Sequence, residues 1–223
     1  MLDAFKTVAS WGPFPFVVEG NGKKWATDGH RLVIAPSPVA GDEIPRRVRA
    51  PKDTDFTKLP ESRSFANLYP NPSADHTFTL DDPRAIVRFC DDALRAQREE
   101  NAPLVTAWRE QIAQARARKQ SYEAQRLRKE GAPKPRTSGK IGLPSAGGAL
   151  MITGYRDDRN TAISAASRAT TIGWAGIDLR YLRDALRAVP RGVKPTLQVS
   201  SDGREPFMLR AGDVTTLIMP VRL

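Results

Sequence analysis

The chain has 223 residues, 40% of them hydrophobic, and carries a formal net charge of +10. That length suits one large domain or two small ones around a sizeable core. Cys90 is the single cysteine, which excludes an intrachain disulfide and a cysteine-based metal cluster, while the basic balance predicts attraction to polyanions.

The first residues, MLDAFKTVAS, lack the basic start and long apolar run of a secretory signal. No stretch approaches a membrane span, so a soluble protein of the reducing cytoplasm is expected. Residues 2–10 read as a short amphipathic helix with Leu2, Phe5 and Val8 on one face, stopped by Trp11-Gly12-Pro13. PFVVE, GNG and KKWAT then spell a hairpin, with Gly20-Asn21-Gly22 at its turn. Asp28-Gly29 makes a second tight turn, and HRLVIAP follows as a strand. Residues 36–75 are rich in Pro, Ser and Asp and read as connection, with one strand at IPRRVRAP.

DHTFTL alternates like a strand, and Asp81-Asp82-Pro83 starts a helix over RAIVRFCDDALRAQ with an acidic cap and a proline in its first turn. Asn101-Ala102-Pro103 is expected to cap a second helix, LVTAWREQIAQARARKQSYEAQRLRKE, ended by Gly131. Leu104, Trp108 and Ile112 give that helix a narrow apolar stripe. Between 98 and 140 eleven Lys and Arg stand against five Glu, and APKPRTSGKIGLPSAGG reads as a flexible linker. ALMITGY, TAISAAS and TIGWAGI are strand signals. Asp178 caps a helix over LRYLRDALRAV, and TLQVSS, PFMLRA and VTTLIMP close the chain as strands. A helix followed by three antiparallel strands therefore recurs three times, which predicts an α+β fold.

In the last helix Leu179, Leu182, Leu186 and Val189 form the core face, while Arg180, Arg183 and Arg187 share the opposite one. In the earlier helix Arg84, Arg88 and Arg95 recur at helical spacing, with Ile86, Phe89, Ala93 and Leu94 free to turn inward. Such stripes suit either a solvated face or a phosphate track, because arginine grips phosphate oxygens without reading bases. No catalytic constellation stands out. His30 and His76 belong to no metal-spacing pattern, no serine sits in a nucleophile elbow, and GLPSAGG lacks the lysine and following helix of a phosphate loop. A non-enzymatic protein without cofactor or metal is expected.

ATDGHRL (26–32) resembles the signature segment in the second domain of the bacterial DNA sliding clamp, the DNA polymerase III β subunit. LIMPVRL (217–223) is similar to that family's ending, IDLRYLRDALRAV to its last helix, and SFANLYPNP to the segment leading into its third domain. The four occur in the family's order. The resemblance implies a clamp fold of repeated helix-plus-strand units. Residues 1–60 would be half of a second domain, and 64–223 a complete third domain interrupted by a helical insertion and linker at 98–147.

The family's helices line a hole around duplex DNA, so the resemblance implies non-specific DNA contact by Arg84, Arg88, Arg95, Arg180, Arg183 and Arg187. It also implies a groove for short peptides of polymerases, clamp loaders and repair proteins. One wall would hold Thr27, Gly29, His30, Arg31 and Leu32, the other Leu217, Met219, Pro220, Val221 and Arg222, with Leu68 between. Leu32, Leu68, Leu217, Met219 and Val221 would supply an apolar trough, and His30 and Arg31 donors for polar groups of the peptide.

A processivity factor assembled as a homo-oligomer is the function implied; three half-domains per chain would close a ring of about four copies. A non-ring homologue that captures or diverts the partners' peptides is a second reading. A basic nucleic-acid binder acting through the inserted helix is a third.

Overall fold

The computed structural model describes residues 18–20, 23–36, 46–47, 76–143, 149–154, 160–164, 172–200 and 205–222. The helix expected over 2–10, the segment around Leu68 and the Asn21-Gly22 turn lie outside them. The early strands are β1 (Val18–Gly20), β2 (Lys23–Thr27), β3 (Arg31–Pro36), β4 (Arg46–Arg47) and β5 (His76–Thr79). Helices α1 (Pro83–Ala117) and α2 (Ser121–Glu130) follow, then β6 (Ser138–Leu143), β7 (Leu150–Gly154), β8 (Asn160–Ser164) and β9 (Ile172–Asp178). Helix α3 (Leu179–Arg187) and strands β10 (Thr196–Val199), β11 (Phe207–Ala211) and β12 (Val214–Ile218) complete the chain.

Two antiparallel sheets result. One runs β4-β1-β2-β3-β12-β11-β10-β5, the other β8-β7-β6-β9. The first is the decisive feature, because β3 pairs with β12 and so joins the earliest strands to the last. One core holds both sheets together with α1 and α3: Phe78, Leu197 and Phe207 from the large sheet, Ile141, Ile152 and Ile177 from the small one, Ile86 and Leu94 from α1, Leu179 and Leu182 from α3. The apolar-inward alternation of β7 and β10 is what a sheet with one covered face requires. Gly139 marks a close approach. A Cβ there would meet the Thr153 carbonyl oxygen at 2.5 Å and Leu179 Cδ2 at 2.6 Å, so only glycine lets β6 pass the start of α3.

Two sequence expectations are corrected. The linker expected at 132–148 contains β6, a central strand of the small sheet, so four strands follow α1 rather than three and the threefold recurrence of helix plus three strands does not hold. Strand β6 is hard to see in the sequence because its buried residues include Gly139 and Gly142 amid turn formers. The second helix does not begin at Asn101-Ala102-Pro103. Helix α1 instead runs unbroken through Pro103 to Ala117. Proline removes one intrahelical donor, and the carbonyl it orphans belongs to Glu99, an exposed residue at which solvent is free to take the donor's place.

The true break lies at 118–120. Gln120 N–H bonds the Ala115 carbonyl and Lys119 N–H the Arg116 carbonyl, with Lys119 at φ 59. That is the Schellman pattern of a helix end, built here on lysine instead of glycine. Helix α2 then folds back along α1: Trp108 Nε1 donates to the Leu127 carbonyl at 3.1 Å and Asn101 Nδ2 to the Pro133 carbonyl at 2.9 Å. The expected stop at Gly131 is observed.

Candidate functional site

The turn between β2 and β3 is Asp28-Gly29-His30, with Gly29 at φ 86, a conformation glycine adopts without strain. Asp28 Oδ1 accepts the backbone N–H groups of His30 and Arg31, each at 2.9 Å. The Thr27 hydroxyl donates to the Arg31 carbonyl at 2.8 Å and accepts from Gly29 N–H at 3.1 Å. This closure fixes the register in which Leu32 pairs with Leu217 and Arg31 with Ile218. Beyond β12, Met219 N–H donates to the His30 carbonyl at 2.8 Å and Val221 N–H to the Gly176 carbonyl at 3.0 Å. The tail thus stitches the large sheet to β9 of the small one. The early hairpin and the carboxyl tail lie side by side.

The proposed wall residues divide by exposure. Leu32 in β3, Leu217 in β12 and Thr27 at the end of β2 are buried and present no open wall. Met219, Pro220 and Val221 are half-buried, and Gly29, His30 and Arg222 are exposed. Arg31 is corrected. Its side chain is only 2% exposed and bonds Asp28 through Nε at 2.8 Å and Asp184 through Nη1 at 3.2 Å. With its guanidinium also 4.6 Å from the Tyr181 ring centroid, it holds the turn against α3 and offers no donor to a guest. Leu68 lies outside the described residues.

Sequence reading missed three partners here. The Tyr181 ring stacks with His30, 6.0 Å between centroids, and has the guanidinium of Arg180 5.5 Å from its own centroid. Burial first, then the carboxylates of Asp28 and Asp178, raise the Tyr181 hydroxyl above its ordinary range. Asp28 and Asp184 complete the set. The clue available was an aspartate opening a turn, since Asx side chains bond their own following backbone.

The arginine stripes are also changed by packing. Arg84, Arg88 and Arg95 are exposed on α1, with Asp82 3.6 Å from Arg88 and Asp92 3.7 Å from Arg95. The expected outer face of α3 is not free. Arg183 and Arg187 reach across to Asp91 of α1 at 3.4 and 2.7 Å, and Arg180 turns back onto its own cap, Asp178, at 2.7 Å. The hydrogen bond to Asp178 raises the Arg180 pKa further.

No protein-family model and no curated protein matches the sequence. Among solved structures, the Helicobacter pylori β clamp bound to a DNA ligase peptide matches 99% of this chain and 63% of that one, at a TM-score of 0.59 and 11% identity. The Caulobacter crescentus polymerase III β matches 100% of this chain and 63% of that one, at 0.57 and 15%. A Pseudomonas aeruginosa polymerase sliding clamp matches 97% and 59%, at 0.59 and 13%. The chain has the bacterial sliding-clamp fold. It spans less than two thirds of the clamp chains it matches. In this chain the β3–β12 junction and the tail are held by backbone pairing together with the side-chain bonds of Thr27, Asp28 and Arg31.

Proposed function

We propose that this protein is a clamp-type binding scaffold rather than an enzyme, and that its slot takes short, extended peptides from replication and repair proteins. The observation that carries the reading is the junction of β3 with β12 and the tail. It leaves half-buried Met219, Pro220 and Val221 beside exposed His30 over a rigid floor. An extended peptide has little structure to lose, methionine adapts to varied apolar guests, and His30 supplies a polar contact at the rim. The H. pylori clamp with its ligase peptide supports the choice of guest.

Duplex DNA would be met without sequence reading by Arg84, Arg88 and Arg95. Their carboxylate neighbours are surface pairs of small worth that phosphate can displace. Several copies closing around DNA in the cytoplasm would make the assembly a processivity factor. The double variant Met219→Ala/His30→Ala is the direct test, with a DNA ligase peptide of the kind held by the H. pylori clamp as probe. Micromolar binding by the unaltered chain should weaken by about tenfold or more. Undiminished binding removes the slot from the account. A chain that stays monomeric at high concentration, with and without DNA, removes the ring and leaves the peptide site standing.

A further inference from the structure

Helix α1 leaves the core at mid-length. Its buried residues up to Leu94 belong to the main core, whereas Ile112 and Ala115 do not, and the far half of the helix packs against α2. The result is an antiparallel helical arm joined to the clamp body at its base. Its seam is Trp108, Ile112 and Ala115 on α1 against Ala124 and Leu127 on α2. In antiparallel helices, residues one step after a seam position point to the same side on both members, because the chain direction and the sense of rotation reverse together. Arg109, Arg116 and Arg128 each follow a seam residue, so they share one side of the arm. Glu123 and Glu130 fall on the other side and both bond Arg126, at 2.7 and 3.6 Å. The tip adds Arg118 and Lys119. All five of these cations are exposed and make no ion pair among the described residues.

We infer that this arm is a second nucleic-acid contact, gripping the phosphate backbone of duplex DNA through Arg109, Arg116, Arg118, Lys119 and Arg128. Four observations carry the choice of ligand. The five cations gather on one side and at the tip, Glu123 and Glu130 lie on the other side and pair with Arg126, and the five lack, among the described residues, the acidic partners that occupy Arg183 and Arg187 on the body. The fourth is Lys119, which holds a left-handed position where glycine is the stable residue, so charge at the tip is kept against backbone preference. Arginines 109 and 116 stand about 10 Å apart along the helix by its rise per residue, a span over which duplex DNA presents several phosphates. A grip on phosphate oxygens carries no sequence information, so binding would be independent of sequence.

The test uses the full chain and fluorescently labelled 20-base-pair duplexes of two unrelated sequences, titrated from 50 to 200 mM salt. A variant with all five cations changed to glutamine should bind at least about thirtyfold more weakly at 100 mM salt. Its log–log salt slope should be shallower by up to about 4.5, near 0.9 for each phosphate no longer neutralised. The exposed positions leave folding intact, which circular dichroism checks. The matching variant Arg109→Lys/Arg116→Lys/Arg128→Lys should retain binding within about threefold, because point charge suffices for phosphate. Unchanged affinity and slope in the glutamine variant overturn the proposal. So does loss of binding in the lysine variant, or competition by poly-glutamate equal to that by unlabelled duplex, which would mark an acidic protein as the guest. Peptide binding in the slot should be unaffected throughout, which separates this surface from the slot.

Discussion

Both halves of α1 carry arginine, Arg84, Arg88, Arg95 and Arg98 in the first and Arg109 and Arg116 in the second, but its surroundings differ. In the half that packs on the body, Arg88 and Arg95 have carboxylate neighbours, and Asp91 gathers Arg183 and Arg187 from α3. In the half that forms the arm, Arg109 and Arg116, with Arg118 just past its end, are exposed and make no ion pair among the described residues. Charge count is therefore a poor guide to where a polyanion binds. What counts is the charge left over after each helix has met its neighbours, and a stripe drawn on an isolated helix cannot show that.

The largest expected effect breaks the contrast at its buried extreme. Arg31→Ala removes the partner of Asp28, whose side chain is 2% exposed, and leaves a carboxylate uncompensated beneath the turn. Loss of one member of a buried pair costs about 3–5 kcal/mol, so the melting temperature should fall sharply. Arg109→Ala on the arm, which has nothing to abandon, should change stability by less than about 0.5 kcal/mol. Equal effects on thermal melting would erase the distinction between the two kinds of arginine.

The next tests the cores of the two halves. Leu94→Ala opens a cavity in the main core and should cost about 2–5 kcal/mol of global stability. Ile112→Ala touches only the arm's seam. It should loosen the arm, seen as faster amide exchange in α2, while the midpoint of global unfolding stays in place. If Ile112→Ala lowers the global midpoint as much as Leu94→Ala does, the arm is part of the body and the contrast fails.

A chemical probe sharpens the same line. Cys90 is fully buried in the packed half, and burial above all, with Asp91 adding, pushes its thiol from 9.0 up to about 12. A raised folded pKa means the stabilisation is whole below pH 9 and is lost as pH climbs toward 12. Cys90 should therefore resist alkylation at about pH 8, and alkaline unfolding should set in between pH 9 and 12 and soften in Cys90→Ala. Rapid labelling of the native chain under those conditions would show the packed half to be open.

Legibility in the sequence followed the range of the interaction. Hairpins, the Asp178 cap, the core face of α3 and the tail were readable because turn chemistry and periodicity are local. Strand β6 was not, since its inward positions are partly glycine and its burial comes from β7, β9 and Leu179. Pro103 misled because an exposed helix with a second helix against it tolerates what an isolated one would not. At the junction, the resemblance pointed to segments that the fold brings together, but it could not show which of their side chains are buried in ion pairs. Arg31 reads like an offered guanidinium until Asp184, far along the chain, is found beside it.

The smallest expected effect has two signs. Lys119→Gly relieves a left-handed lysine at the arm's helix end and should stabilise the arm by about 0.5–1 kcal/mol, visible as slower exchange of the amides around 118–124. If lysine is there for its charge, the same change should weaken duplex binding by about twofold and take roughly 0.9 from the salt slope, one phosphate's worth. A more stable arm that binds less DNA is an outcome that simple packing does not produce. A more stable arm with unaltered binding would assign Lys119 to the turn alone and leave the other four cations to hold the duplex.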